Sequence, residues 1–372
     1  MAESNRLVDL VQEGIDQFLD ARAPHLLGIG TEFAPFIDYS RNLLRGGKRF
    51  RALFCYWGWR AVISVPDEFD PLAGETAHDH EAIVMAAVAL ELFHAAALVH
   101  DDIIDNSDTR RGGPAVHRRF ESSHRENHWA GSAEVFGRSA ATLLGDLLLA
   151  WSDEAFDEAL TLTSNENART AARQEFNRMR TEVMLGQYLD VLDEQSWMTH
   201  PETEQLSRAH RVVVYKSAKY SVEAPLAIGA ALGGAPHGIL GGLRAFGLPL
   251  GVAFQLRDDI LGVFGDASIT GKPSGDDLRE GKRTVLLALA RSRLPANARR
   301  FLDELVGDPD LTEVQVRLIQ DTLRDSGAVD DVESIILREV DRASDALHEA
   351  RIAPSAREQL LSLIDSVIRR TA

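Results

Sequence analysis

The chain has 372 residues, of which 45% are hydrophobic and 26% are charged, the composition of a soluble globular protein. Its formal net charge of −17 argues against a general nucleic-acid-binding protein, because no excess of basic side chains can neutralise a phosphate backbone. A small phosphorylated ligand still fits this composition, since it needs only a local cluster of lysines and arginines.

The sequence predicts a cytoplasmic protein without a transmembrane segment. Its single cysteine, Cys55, excludes an internal disulfide and a zinc site made of several thiolates. Residues 1–16 lack the basic start and the long apolar stretch of a secretory signal. The most apolar run, residues 83–99, is interrupted by Glu91 and His94, so it is predicted to be a buried helix rather than a membrane span.

Hydrophobic residues recur at helical spacing along most of the N-terminal half. This pattern predicts a helix over 7–19, an aromatic-rich helix that opens at 46–49, and a long helix from about 81 to 105. Residues 66–80 are predicted to form a loop. The stretch 112–132 is polar and rich in glycine, which predicts a long mobile loop of the kind that acts as a lid.

The C-terminal half shows the same periodicity. Further helices are predicted over 139–156, 171–192, 215–228 (with a kink at Pro225) and 247–264. Additional helix starts are predicted at Thr284, at Thr312 with Gln315 three residues later, and at Asp330 with Glu333 three residues later. Because neither the alternation of strands nor a fixed-period repeat is found, the chain is predicted to be one all-α domain.

Three aspartates, Asp101, Asp102 and Asp105, end the long apolar helix. Asp101 and Asp105 are four residues apart, so their side chains share a helix face and repel each other. Such a row of carboxylates suits Mg²⁺, which takes one or two of them and completes its shell with water and substrate phosphates. A solvated acidic helix end would give the same pattern, but a second cluster favours the metal site.

The second cluster, Asp258 and Asp259, follows Gln255 at the end of another apolar helix. If the two helices pack side by side, the clusters face each other across a cavity and form a Mg²⁺ site completed by diphosphate oxygens. Basic side chains that can bind phosphates precede or follow both clusters: Lys48, Arg51, Arg110, Arg111, Lys216, Lys272 and Lys282. Together these features predict recognition of phosphates.

In combination, the motifs resemble those of the trans-isoprenyl diphosphate synthases, the polyprenyl synthetase family, and among them the geranylgeranyl diphosphate synthases. The matching segments occur in order: Gly46-Gly47-Lys48-x-x-Arg51, Glu91-x-x-His94, Asp101-Asp102-x-x-Asp105, Arg110-Arg111-Gly112, Gly186-Gln187, Lys216-Ser217, Phe254-Gln255-x-x-Asp258-Asp259, and Gly271-Lys272 to Lys282. Each segment alone is weak, but the ordered set is specific.

The resemblance implies the isoprenoid synthase fold, a single all-α domain of roughly ten or more helices around a central apolar cavity. A helical arm over about 1–30 would precede the motif-bearing core over about 41–285, and C-terminal helices over about 286–372 would follow. It also implies a homodimer.

The implied reaction is a Mg²⁺-dependent prenyl transfer, with about three Mg²⁺ ions per active site when substrate is bound. An allylic diphosphate (dimethylallyl, geranyl or farnesyl) loses its diphosphate and leaves a carbocation. The double bond of isopentenyl diphosphate attacks this cation head-to-tail, and the departed diphosphate removes the proton. No protein nucleophile is required.

The resemblance also assigns roles to individual residues. Asp101, Asp105 and Asp258 are the implied metal ligands, and they act in catalysis with Arg110 and Lys216. Asp102 and Asp259 are expected to support the ligands without touching the metal. The residues implied for the allylic diphosphate are Arg110, Lys216, Ser217, Gln255, Lys272 and Lys282. Those implied for isopentenyl diphosphate are Lys48, Arg51, His94 and Arg111.

Three departures from the family pattern stand out. The second motif usually ends in aspartate, and here that position is Gly262. Because Asp258 is the position expected to touch the metal, inactivity is not inferred. Ser217 replaces a common threonine, and the loop predicted over 120–133 is longer than usual.

The product grows along the helix that precedes Asp101. Short-product members place a bulky aromatic residue four or five positions before the cluster, where this chain has Ala97 and Ala96, and Phe93 is the first large aromatic upstream. Because an isoprene unit of about 5 Å spans roughly three residues at a rise of ~1.5 Å, this shift adds about one unit to a fifteen-carbon product. The sequence thus predicts geranylgeranyl diphosphate, with Phe93 as the floor of the pocket or, alternatively, as a helix-packing residue.

Other functions fit less well. A farnesyl or longer-chain synthase differs only in product length. A non-catalytic regulatory subunit would have no need for the intact acidic and basic residues. A class I terpene cyclase would carry an Asn/Ser/Glu metal motif in place of Asp258-Asp259 and would make little use of Lys48, Arg51 and Arg111.

Overall fold

The computed structural model describes residues 2–63, 77–265 and 274–368. Of the described residues, 83% are helical, as the apolar periodicity predicts, which confirms the all-α prediction. The α-helices are α1 (Ala2–Ile29), α2 (Ala34–Leu43), α3 (Phe50–Arg60), α4 (Ala77–Ile104), α5 (Val116–Glu126), α6 (Ala133–Leu162), α7 (Glu166–Ser196), α8 (Glu202–Val212), α9 (Ala224–Leu232), α10 (His237–Phe264), α11 (Asp276–Glu280), α12 (Val285–Arg293), α13 (Ala296–Leu305), α14 (Glu313–Asp325), α15 (Ala328–Glu349) and α16 (Pro354–Ile368).

Other regular structure is short. The 3₁₀-helices are Thr31–Phe33 and Trp197–Thr199, and a π-helix covers Val213–Glu223. Within the described ranges, the only strands are β1 (Thr109–Arg110) and β2 (Gly113–Pro114), which pair antiparallel with Thr109 opposite Pro114. No larger sheet is formed by these residues.

The chain divides into two compact units. Unit one comprises Met1–Gln174, Pro225–His237 and Ile352–Gln359, and unit two comprises Glu175–Ala224, Gly238–Arg351 and Leu360–Ala372. The division into an N-terminal arm, a motif-bearing core and C-terminal helices within one domain stays a prediction.

In unit one, α4 packs against α1, α3, α5 and α6. Every side chain from 86 to 93 on α4 is buried, and many of them are alanine, so neighbouring helices can approach closely. This packing orients the C-terminal end of α4, where the first aspartate cluster stands.

In unit two, α10, α12, α14 and α15 enclose an apolar core. Helix α12 is apolar on nearly all sides and buries Val285, Leu286 and Leu287, as expected for a helix surrounded by other elements. Leu278 of the short α11 is completely buried in the same core. The core thereby fixes α11 in place, although that helix has only five residues.

Two predicted helix starts are confirmed, and one is wrong. The Thr284 hydroxyl caps α12, and Thr312 forms a capping box with Gln315 at the start of α14. The start predicted at Asp330 is misplaced, because α15 begins two residues earlier, directly after Gly327. The φ of 76° at Gly327 ends the preceding helix, and Asp330 lies in the first turn of α15, where the helix dipole favours a carboxylate.

The mobile loop predicted over 112–132, including the long loop at 120–133, is wrong for most of its length. Helix α5 occupies much of this stretch, and its buried face consists of Val116, His117, Phe120, Glu121 and His124. The helical periodicity was not recognised in the sequence, because histidine and glutamate occupy buried positions that apolar residues usually fill. Burial of Glu121 is compensated by Arg118, which donates to it at 2.8 Å, and by Arg125.

Burial also gives His117 an unusual titration. Neither ring nitrogen has a hydrogen-bond partner among the described residues. Burial, followed by the charges of Arg118 and Arg138, lowers the pKa of His117 from 6.5 to about 4. The unfolded chain therefore binds a proton at a higher pH than the folded protein does. This contribution to stability is complete above pH 6.5 and is lost as the pH falls toward 4.

We expect His117→Leu to reduce the loss of unfolding free energy between neutral pH and pH 4 by about 3 kcal/mol, because the variant has no imidazole to protonate. Urea denaturation at a series of pH values measures this loss. The exposed His25, changed to glutamine, is the control and should leave the pH dependence as it is in the wild type. Equal pH dependence in His117→Leu and the wild type would contradict the prediction.

The helix predicted over 215–228 is present, but its first part is a π-helix rather than an α-helix. Residues of the π-helix bond five positions back, and the N–H of Ala224 continues this pattern to the carbonyl of Lys219. Pro225 follows at the start of α9. The π-helix therefore includes both Lys216 and Ser217. π-Helical turns are frequent at functional sites.

Two described helices are long and apolar enough to cross a bilayer by composition alone, α4 over Asp79–Ile104 and α10. Their most apolar windows are 72% and 56% buried inside the protein. This burial is typical of core helices, as the interruption by Glu91 and His94 predicts for α4.

Candidate active site

The first aspartate cluster lies at the end of α4 in unit one. Asp105 follows the last turn, and its N–H bonds to the carbonyl of Asp101 at 2.8 Å. Asn106 then reverses the chain with a φ of 54°, which asparagine tolerates better than most residues. The β1–β2 hairpin comes next and brings Arg110 back to the aspartates.

Arg110 binds two of these aspartates. Its Nε donates to Oδ1 of Asp102 at 2.8 Å, and its Nη2 donates to the same oxygen. The same Nη2 lies 3.5 Å from Oδ2 of Asp101. The Asp102 side chain is 1% exposed, whereas that of Asp101 is 22% exposed. Asp102 therefore holds Arg110 in place, while Asp101 keeps access to a ligand.

Arg49 occupies the centre of a buried polar network in unit one. It precedes α3 in the left-handed region, with a φ of 50°. Its guanidinium donates to Oε2 of Glu91 at 2.7 Å, to Oε1 of Gln12 at 2.6 Å, and to the carbonyl of Leu44. These contacts connect α1, the end of α2, and α4, so Arg49 is part of the framework that positions its neighbours.

His94 lies one turn after Glu91, within the electrostatic influence of several arginines. Burial, followed by the charges of Arg51, Arg111 and others nearby, lowers the pKa of His94 well below its usual value. The imidazole is therefore neutral at pH 7, so one ring nitrogen can donate a hydrogen bond and the other can accept one.

Arg111 lies against the Gly46-Gly47 turn. Its Nη1 donates to the carbonyls of Leu43 at 2.7 Å and Arg45 at 3.0 Å. Burial is the main cause that lowers the pKa of Arg111, although the group stays charged at neutral pH. Lys48, which follows the turn, is exposed. Arg111, His94 and Arg51 are thus brought together, and the exposed Lys48 stands beside the turn.

A strip of partly exposed side chains runs along one face of α4. It comprises His94, Ala97, Leu98, Asp101 and Asp105, which recur at the three- and four-residue intervals of one helix face. Phe93, one turn before Ala97, is 1% exposed, and Ala96 is completely buried. The accessible strip that begins at the aspartates therefore ends at Phe93.

The second cluster ends α10 in unit two. Asp258 is half-buried and Asp259 is buried. Oδ1 of Asp259 accepts a hydrogen bond from Nε2 of Gln255 at 2.8 Å, one turn earlier. On the other side of α10, Arg257 binds both carboxylate oxygens of Glu333 on α15, at 2.5 and 2.7 Å. This bidentate pair fixes the rotation of α10 and so the direction of the acidic face.

Negative charge accumulates around Asp259. Burial is the main cause that raises its pKa to about 8, and the hydrogen bond from Gln255 opposes the shift. The charges of Asp277, Asp258 and Asp190 add to the increase. Such an excess of carboxylates over cations is the electrostatic setting that a bound metal ion relieves.

Lys216 extends from the π-helix toward this region. Its Nζ binds Oδ2 of Asp190 on α7. A Cβ atom at Gly186, one turn before Asp190, would lie 2.3 Å from the backbone nitrogen of Lys216. Only glycine fits such a close approach, so Gly186 lets the π-helix pack directly on α7 and sets the position of Lys216.

Lys282 follows α11 and pairs with two acids of that helix. Its Nζ is 3.5 Å from Oδ1 of Asp277 and 2.5 Å from Oε2 of Glu280. Ser217 is half-buried on the π-helix. The predicted phosphate ligand Lys272 lies outside the described residues.

The donor chemistry fits Mg²⁺. Among the described residues, no three histidine, cysteine or acidic side chains converge on one metal position by themselves. Mg²⁺ does not require such a set, because it binds through one or two carboxylates and takes its other ligands from water and substrate phosphates. Each unit supplies half-buried carboxylates of this kind, Asp101 and Asp105 in one and Asp258 in the other.

The sequence left open whether Asp190, three residues after Gln187, faces the ligand or only forms a polar pair on its helix. Its contact with Lys216 joins residues 26 positions apart, so the sequence could not predict it. Asp277 belongs to none of the recognised motifs and was missed. The departure at Gly262 was the one sequence signal that could have led to it.

The comparisons with known proteins agree with these motifs. A family model described as polyprenyl synthetase matches residues 36–322. The geranylgeranyl diphosphate synthase of Methanosarcina mazei is 30% identical over 361 residues, 97% of this chain and 94% of that protein. The geranylfarnesyl diphosphate synthase of Aeropyrum pernix is 30% identical over 326 residues, 87% of this chain and 91% of that protein.

A solved structure is similar over nearly the whole length. It is the geranylgeranyl pyrophosphate synthase from Corynebacterium glutamicum complexed with isoprenyl diphosphate and magnesium. The TM-score is 0.89 and the sequence identity is 36%, over 98% of this chain and 99% of that chain. The chain therefore belongs to the polyprenyl synthetase family and is a trans-isoprenyl diphosphate synthase.

Proposed function

We propose that the protein condenses isopentenyl diphosphate with dimethylallyl, geranyl or farnesyl diphosphate and that its final product is geranylgeranyl diphosphate. The observation that carries this proposal is the accessible strip on α4, which starts at the aspartates and ends at the buried Phe93. Two relatives are named geranylgeranyl and geranylfarnesyl diphosphate synthase, and these products have twenty and twenty-five carbons. Their names support a pocket of about this length.

The residues of each unit have distinct tasks in this proposal. Asp101, Asp105 and Asp258 would hold Mg²⁺, about three ions with substrate bound. When bound, Mg²⁺ stabilises the negative charge that develops on the departing diphosphate. Asp102 keeps Arg110 beside this charge, and Asp190 keeps Lys216 in place in the same way. The side chains proposed to contact the allylic diphosphate are Arg110, Lys216, Ser217, Gln255, Lys272 and Lys282.

The isopentenyl diphosphate is proposed to bind to Lys48, Arg51, His94 and Arg111. The low pKa of His94 supports this role, because a neutral imidazole donates one hydrogen bond to the diphosphate while the arginines supply the charge. Arg111 and Arg51 lie near His94, and Lys48 is exposed beside them. The anion would thus be bound by three cations and one neutral donor.

Product length is proposed to depend on the side chain at position 93. The pocket wall is small at Ala96 and Ala97, so a fifteen-carbon chain can pass these positions. One further isoprene unit adds about 5 Å, roughly three residues of helix, and reaches Phe93. The aromatic ring then stops elongation.

We expect the wild-type protein with isopentenyl diphosphate, each primer and Mg²⁺ to release mainly the twenty-carbon product, and Phe93→Ala to shift the distribution to longer chains. The missing ring removes the floor of the pocket. Chromatography of the dephosphorylated products measures the distribution. Ala97→Phe is the matched opposite change and should shorten the product to fifteen carbons.

The outcomes also separate the other functions. An unchanged distribution in Phe93→Ala would leave Phe93 as a helix-packing residue only. Cyclic hydrocarbons would indicate a terpene cyclase, and no turnover by the purified protein alone would indicate a regulatory subunit. We also propose a cytoplasmic location and a homodimer. Sedimentation of the purified protein would test the homodimer.

A further inference from the structure

The carboxylate of Asp277 occupies the space that a side chain at position 262 would need. An ideal Cβ atom on Gly262 would lie 1.9 Å from Oδ2 and 2.4 Å from Cγ of Asp277. Real Cβ atoms do not approach other atoms this closely, so no residue except glycine fits while Asp277 keeps this position. Position 262 is also where the second acidic motif lacks its usual last aspartate.

The two segments that make this contact are held together by other residues. The Leu278 side chain anchors α11 in the core of unit two. Nε2 of the buried Gln320 donates to the carbonyl of Val263 at 2.6 Å and to the hydroxyl of Ser274 at 3.1 Å. Gln320 thus connects the residue after Gly262 to the segment that precedes α11, and it fixes Asp277 against the end of α10.

The surroundings of Asp277 are those of the acidic cluster. Its side chain is 16% exposed, and Lys282 lies 3.5 Å from its Oδ1. Asp277 is close enough to act electrostatically on Asp259, as Asp258 also does. Oδ2 of Asp259 is buried and has no hydrogen-bond partner among the described residues, which indicates that a ligand completes this cluster.

We propose that Asp277 supplies, from outside the motif, the acidic group that the second cluster lacks at position 262. In this proposal, which rests on the proposed function, Asp277 and Asp258 contribute to the same Mg²⁺–diphosphate site, and Gly262 is the residue that makes room for Asp277. The carboxylate of Asp277 also holds Lys282 near the diphosphate. The departure at Gly262 is therefore compensated in three dimensions.

The first test is Asp277→Asn, which keeps the shape of the side chain and removes its charge. We expect the affinity for Mg²⁺ with inorganic pyrophosphate to fall about 10- to 100-fold, the range for residues that support a metal site. Calorimetric titration and the rise in unfolding temperature on adding both ligands measure this without turnover. Asp310→Asn, an exposed aspartate of unit two, is the control and should bind as the wild type does.

The second test moves the carboxylate back into the motif. Gly262→Asp alone should lower the unfolding temperature, because its side chain meets that of Asp277. Gly262→Asp combined with Asp277→Ala should regain stability and most of the lost Mg²⁺–pyrophosphate affinity. Wild-type affinity in Asp277→Asn, or a double variant that binds no better than Asp277→Ala, would overturn the proposal.

These results separate two kinds of failure. If the wild type forms no prenyl product, the proposed function fails, but the binding measurements still decide whether Asp277 contributes to a Mg²⁺–diphosphate site. If the wild type is active and Asp277→Asn binds and turns over normally, only the inference about Asp277 fails. If Gly262→Asp does not fold, the Asp277→Asn result decides alone.

Discussion

Changing Asp101 to asparagine is expected to lower kcat/KM about 10³-fold, which corresponds to ~4 kcal/mol of lost transition-state stabilisation. The side chain keeps its size, but it no longer carries the charge that is proposed to hold Mg²⁺ beside the departing diphosphate. Because Asp101 is partly exposed and lies 3.5 Å from Nη2 of Arg110, the fold should tolerate the change. The effect should therefore appear in turnover and in binding of Mg²⁺ with pyrophosphate, and not in the unfolding free energy.

Steady-state kinetics with farnesyl and isopentenyl diphosphates measure this effect. Asp108→Asn is the matched control, since Asp108 continues the same acidic series but is 76% exposed and paired with Arg118 at 2.7 Å. It should keep activity close to that of the wild type. A kcat/KM for Asp101→Asn within about tenfold of the wild type, ~1.4 kcal/mol, would remove Asp101 from the metal site.

Changing Arg49 to methionine is expected to lower the unfolding free energy of the protein by about 3–5 kcal/mol. The guanidinium and its partner Glu91 are 2% and 5% exposed, so the variant leaves a carboxylate buried without a counterion. The carbonyl of Leu44 and the amide of Gln12 lose a donor at the same time. Urea denaturation followed by circular dichroism measures the change.

A double variant separates the two contributions to this loss. Arg49→Met with Glu91→Leu removes both charges, and it should recover much of the stability, because an apolar pair needs no compensation. Arg41→Met breaks a more exposed pair with Asp20 in the same unit and should cost no more than about 1 kcal/mol. A loss in Arg49→Met as small as in Arg41→Met would mean that the buried network does not stabilise the fold.

Much of the fold followed from local patterns. The helices with regular apolar spacing were predicted, and so were the starts at Thr284 and Thr312, because a hydroxyl or a capping box acts within one turn of the chain. Helix α5 was missed, since its buried face includes His117 and Glu121, which become compatible with burial only through neighbours such as Arg118. Local propensity cannot contain that information.

The candidate site was also only partly predictable from the sequence. The aspartates and arginines could be identified because each lies in a short motif with its own chemistry. Their supporting contacts could not, because they join distant positions: Arg49 with Glu91, and Lys216 with Asp190. Such pairs form only after the helices pack, and no periodicity in the sequence reports them.

The sequence by itself determined the class of fold and the family, and it supplied the residues proposed to bind diphosphate and metal, because these depend on short-range spacing and on the order of motifs. Only the tertiary structure showed why glycine occupies position 262. The sequence shows only that the usual aspartate is absent at this position. In the folded unit, the carboxylate of Asp277 fills the space beside Gly262. The reason is that side-chain volume is shared between segments that pack together, so the role of one position depends on which distant residue occupies the space beside it.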